Sequence, residues 1–88
     1  MKNPSSLMQF PCDFPMKIIG KNHPRFQEDI MSIVHQHFPE TAADAVRVQT
    51  SKNAKYLAVS VLLRVSEQST LDALYIALTQ HPDINMVL

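Results

Sequence analysis

Eighty-eight residues make one domain, just large enough to bury a core without disulfides or metals. Eight basic and eight acidic residues leave a formal net charge of +0, which speaks against a generic binder of nucleic acid or anionic membrane while leaving room for a local basic patch. The single cysteine, Cys12, allows neither an internal disulfide nor a CxxC-type zinc site; the longest apolar run, about ten residues, is half a membrane span, and no apolar leader follows Lys2, so a soluble, cytoplasmic protein is expected.

Residues 1–12 hold Pro4, Ser5, Ser6 and Pro11 among scattered apolar side chains and read as a flexible arm, with Leu7 and Phe10 able to tack onto the body; residues 13–88 read as one folded domain. At Phe14–Gly20, Phe14, Met16 and Ile18 alternate with Lys17 and Ile19, the period of a half-buried strand. Pro15 lacks an N–H, so regular pairing is expected from about Met16. Pro24 suits the first position of a helix. Its stripe is Phe26, Ile30, Ile33, Val34 and Phe38, with Glu28 and Asp29 at the positive end and His35 and His37 at the negative end. Pro39 stops it.

A short connection, Glu40–Ala45, leads to a second strand at Val46–Thr50, with Val46 and Val48 on one side and Arg47 and Gln49 on the other. Ser51–Lys55 has turn chemistry and no glycine, which makes Asn53 the expected positive-φ residue of a hairpin. Tyr56–Val65 is the longest β-prone run, with Val59, Val61, Leu63 and Val65 alternating, and reads as the central strand. Ser69 and Asp72 fit a capping box, with Ser66 as the other possible cap, ahead of a helical stripe of Leu71, Leu74, Tyr75 and Leu78. His81-Pro82 ends this helix, and Ile84–Leu88 reads as a last short strand.

The order β-α-β-β-α-β predicts an α+β, ferredoxin-like sandwich: a four-stranded antiparallel sheet with both helices on one face. The first and third strands then lie in the centre. The other face is uncovered, and parity places Lys17, Ile19, Arg47, Gln49, Tyr56, Ala58, Ser60, Leu62 and Arg64 on it. Of these, Lys17, Ile19, Arg47, Tyr56, Ser60, Leu62 and Arg64 are the candidate interface for a second copy or another protein.

Other chemistry is poorly represented. His35 and His37 are two residues apart on a helix and cannot chelate together. No P-loop, dinucleotide fingerprint or nucleophile elbow occurs, so neither a catalytic residue, a metal nor a cofactor is expected. Modules of this topology that bind RNA stack bases on open-face aromatics, and Tyr56 is the one aromatic among the face positions. The loop Gly20, Lys21, Asn22 and His23 precedes a helix N-terminus, where N–H groups can receive a carboxylate. It is the candidate small-molecule site, although a tight turn alone also accounts for Gly20.

The motifs Phe10-Pro11, Phe14, K-I-I-G at Lys17–Gly20, H-F-P at His37–Pro39, Ser51-Lys52 followed by Tyr56, Leu74-Tyr75 and the final Met86–Leu88 together resemble the YbeD-like family of short bacterial proteins. The resemblance runs from Phe10 to Leu88. It implies a ferredoxin-like fold similar to the ACT regulatory domain, which binds amino acids at paired subunits of metabolic enzymes, and it carries over no activity, substrate or catalytic residue. Where the family's hairpin reads S-S-x-G-x-Y, this chain has S-K-N-A-K-Y without the glycine.

Three functions follow in order of expectation. The first is a small non-catalytic regulatory or interaction domain acting through self-association or partner docking on the open sheet face. The second is an ACT-like sensor of a small amino or carboxylic acid, and the third an RNA-binding module.

Overall fold

A computed structural model describes residues 11–88. Residues 1–10, most of the expected arm, lie outside the described residues. The elements are β1 (Cys12–Lys21), α1 (Phe26–His37), a single 3-10 turn at Ala43–Ala45, β2 (Val46–Thr50), β3 (Tyr56–Val65), α2 (Gln68–Thr79) and β4 (Ile84–Val87). The strands form one sheet in the order β2-β3-β1-β4, every pairing antiparallel. This is the βαββαβ arrangement, with the two longest strands in the middle.

The core lies between the sheet and the two helices. From the strands it takes Met16, Ile18, Leu57, Val59, Val61, Leu63 and Val65; from α1 come Phe26, Ile30 and Val34, and from α2 Leu71, Leu74 and Leu78. Strict alternation in β3 puts its odd-numbered residues on this side, all buried. No polar or charged residue among the described ones is buried, so hydrophobic burial rather than ion pairing holds the layers together.

Several local expectations are corrected. Strand β1 begins at Cys12, paired with Val65, rather than near Met16; Cys12 therefore belongs to the sheet and not to the arm. Pro15 sits inside the strand opposite Leu62. The reason is directional. The N–H of Lys17 bonds the Leu88 carbonyl at 3.1 Å on the β4 side, and residues two apart on a strand point their backbone groups the same way. The nitrogen of Pro15 points the same way, where pairing with β4 and Leu88 extends only as far as Lys17, and no ladder bond is lost.

Pro24 precedes α1 rather than opening it: the Phe26 N–H bonds the His23 carbonyl at 3.0 Å, closing a turn in which Pro24 holds the second place. Neither Ser66 nor Ser69 caps α2. The helix starts at Gln68 after an extended Glu67, without a side-chain cap, and Gln68 Nε2 instead donates to Asp72 Oδ1 at 2.8 Å. Tyr75 leaves the core stripe and is 47% exposed, as Leu74 and Leu78 fill the interface. Val48, on an edge strand, is also exposed. In the hairpin it is Ala54, not Asn53, that takes positive φ, at 58°. The Asn53 side chain is thus not needed to set the turn; the Ala54 N–H bonds the Ser51 carbonyl and the Ser51 hydroxyl accepts from the Tyr56 N–H.

Candidate functional site

The open sheet face is assembled by register. Across it run rows of facing residues: Arg64 beside Asp13, Leu62 beside Pro15, Arg47-Ser60-Lys17, Gln49-Ala58-Ile19-Met86, and Tyr56 beside Lys21. All seven candidate interface residues share this face. Leu88 joins the row of Lys17, because the two exchange both backbone hydrogen bonds, at 3.1 and 2.8 Å.

The face carries apolar side chains on both sides of a polar and basic middle row, Arg47-Ser60-Lys17. Leu62 is 47%, Met86 51% and Leu88 62% exposed, with Ile19 and Ala58 half-buried between strands. Lys17 and Arg47 stand either side of Ser60. Arg64 is partly answered by Asp13, whose Oδ1 accepts from Nη1 at 3.2 Å, an exposed pair of small energetic weight. Two shallow hollows indent the surface around Lys17. One, of about 360 Å³, is bordered by Pro15, Arg47, Ser60, Leu62 and Leu88; the other, of about 290 Å³, by Ile19, Gln49, Tyr56 and Ala58. Sequence parity on β1, β2 and β3 found most of this face. It missed Met86 and Leu88, because a bulge between Ile19 and Gly20 shifts the register of β4 and leaves Asn85 as an extra residue.

The loop Gly20–His23 has a different character. Gly20 is buried without positive φ; a Cβ there would run into the Asp83 carbonyl oxygen and the ring of Phe26. Its lack of a side chain therefore serves close packing. The N–H of Lys21 bonds the Asp83 carbonyl at 2.9 Å, and that of Asn22 bonds the Lys55 carbonyl at 3.0 Å, while Asn22 Nδ2 donates to the Ala54 carbonyl at 3.0 Å. His23 Nδ1 accepts from the Arg25 N–H, so its Nε2 carries the proton and donates to Asp83 Oδ2 at 2.7 Å. His81 mirrors it: Nδ1 accepts from the Asp83 N–H and Nε2 faces Asp29 Oδ2 at 3.6 Å. Both imidazoles meet the Phe26 ring edge-on, with centroids 5.9 and 6.3 Å away. Much of the loop's polar capacity is thus used to tie β1, the β2–β3 hairpin and the α2–β4 turn together.

Among the described residues, no three His, Cys, Asp or Glu side chains gather as a metal ion requires, and no helix is long and apolar enough to cross a membrane.

Comparisons with known proteins agree with this architecture. By fold, the chain is similar to protein HP0495 of H. pylori (TM-score 0.69, 18% identity, 100% of this chain and 97% of that one). It is similar also to the ACT domain from GTP pyrophosphokinase of Chlorobium tepidum in its crystal structure (TM-score 0.67, 15% identity, 88% and 97% covered). By sequence it is 43% identical over 83 residues to a UPF0250 protein of Paraburkholderia phytofirmans, covering 94% of this chain and 93% of the relative. A UPF0250 protein of Neisseria meningitidis serogroup B is 38% identical over 87 residues, 99% and 96% of the two chains. The model of a family described as "Protein of unknown function (DUF493)" matches residues 5–88. The chain therefore belongs to the DUF493 family, the UPF0250 proteins, which are the YbeD-like proteins its motifs resemble.

Proposed function

We propose that this protein is a small non-catalytic interaction domain that works by docking its open sheet face on a protein surface. One observation supports the reading above others: a face that neither helix covers carries two apolar groups, Leu62 with Pro15 and Ile19 with Ala58, Met86 and Leu88, either side of Ser60 and Lys17. An uncovered sheet face that exposes large apolar side chains among charged ones is a common form of association site. Among the described residues Tyr56 is the sole aromatic on the face, so stacked bases have one platform there, and the RNA reading has less support.

Site-directed photo-crosslinking in cells tests this. A photoreactive residue at Leu62 or Ile19 is expected to give discrete protein crosslinks, absent when it is placed at the exposed Gln36 of α1. A face that crosslinks no more than Gln36 does would rule the docking reading out.

A second reading, an ACT-like sensor of a small amino or carboxylic acid at Gly20–His23, draws its support from the likeness to the Chlorobium tepidum ACT domain. A thermal-shift screen separates the two. A ligand at about one hundred times its dissociation constant adds roughly 2.7 kcal/mol, on the order of ten degrees or more for a domain this small. A hit lost on Asn22→Ala would favour the sensor; a flat screen leaves the docking face.

A further inference from the structure

The neutrality of the chain conceals a strong separation of charge. The four strands and the β2–β3 hairpin carry Lys17, Lys21, Arg47, Lys52, Lys55 and Arg64, against the single acid Asp13. The remaining described residues, in the helices and their connections, hold the other seven acidic residues and one basic residue, Arg25. The sheet side is therefore basic and the helical side acidic.

The acidic side has its own apolar patch. On α2, Tyr75 is 47% and Ile76 57% exposed, and Asp72 lies one turn earlier on the same helix face. A helix that shows water two large apolar side chains beside a carboxylate complements a sheet face that shows Leu62, Met86 and Leu88 beside Lys17 and Arg47. The two hollows around Lys17 are open enough to receive such side chains. A symmetric contact of two sheet faces would instead press two basic faces together, each with Lys17, Arg47 and Arg64 against one acid, and like charges in an interface are unfavourable.

We propose that the open sheet face of one copy receives the outer face of α2, with Tyr75, Ile76 and the carboxylate of Asp72, from a second copy, in a head-to-tail contact. The proposal rests on the docking reading above and names the occupant. A contact of this kind uses two different patches, so it continues into a ring or a chain of copies rather than stopping at a symmetric pair.

Sedimentation velocity on the full chain tests it, over a wide concentration range at low and high salt. Association is expected to rise with concentration past the dimer and to weaken at least several-fold at high salt, where exposed charges are screened. Arg47→Glu should destroy the sheet patch and Ile76→Lys the helix patch, each giving a monomer with an unchanged melting profile. Mixed together, these variants should form a one-to-one heterodimer, because each retains the patch the other has lost. Should Ile76→Lys melt early, Tyr75→Lys replaces it. A wild-type chain that stays monomeric throughout overturns the proposal, and so does a wild-type species that ends at a dimer while the mixed variants remain apart. Crosslinks from Leu62 to a different protein, with the purified chain monomeric, would overturn the head-to-tail contact and leave the docking face standing. Absence of crosslinks removes both.

Discussion

Gly20 lies where β1 hands the chain towards α1, with the Phe26 ring against its Cα and the Asp83 carbonyl beside it, so Gly20→Ala must displace a fully buried ring or a backbone strand. We expect a loss of about 1–3 kcal/mol, the usual range for overpacking, read as a fall in melting temperature of roughly 5–15 °C. Ala54 presents the opposite case. It holds a φ of 58°, a conformation that costs an L-residue about 1–2 kcal/mol. Ala54→Gly should therefore raise stability by up to about 1 kcal/mol, since glycine's greater freedom in the unfolded chain offsets part of the relief. Denaturant unfolding with an unchanged slope would check it. The His23–Asp83 hydrogen bond, with both side chains about a third exposed, joins loops sixty residues apart in sequence. A double-mutant cycle on His23→Ala and Asp83→Ala should return a coupling below about 1 kcal/mol, which would make it a positioning contact rather than a main source of stability.

At the scale of elements, α2 has adjacent residues with opposite fates. Leu74 is fully buried, whereas Tyr75 is 47% exposed. Leu74→Ala is expected to cost about 2–5 kcal/mol and Tyr75→Ala to stay within about 0.5 kcal/mol, a contrast that equilibrium unfolding resolves easily. Periodicity alone placed both on one stripe, because residues at i and i+3 or i+4 share a broad helix face. What divides them is the position of α1, which packs against α2 and closes the core over Leu71, Leu74 and Leu78. Strand β1 shows the same limitation. Its alternation was legible from Phe14 onward, but Pro15 argued for a late start. Only the offset of β4, absent beside Pro15, makes a proline acceptable inside a central strand.

For the molecule as a whole, segregation of charge matters more than its sum. Because Lys17 and Arg47 flank Ser60 on a face with one acid, reversing one of them should relieve repulsion rather than cause it. Arg47→Glu is thus expected to leave the melting temperature unchanged or slightly raised at low salt, with the difference fading as salt is added. A clear loss of stability would mean that Arg47 supports the fold through contacts of its aliphatic stem.

The β-α-β-β-α-β order, the strand alternation and the core face of β3 were written in the chain, since side-chain periods of two and of 3.6 are properties of local backbone geometry. So was the family likeness, carried by short motifs spread along the domain. Tertiary structure alone decided which residues complete the open face: Met86 and Leu88 reach it through a register shift in β4, and no local pattern encodes a bulge made against another strand. It also decided that Gly20 serves the packing of Phe26 and that the polar groups of Asn22 and His23 find partners in segments distant in sequence. The division of a neutral chain into basic and acidic sides was equally hidden, because charge along a sequence becomes a field only when folding assigns each residue to a face.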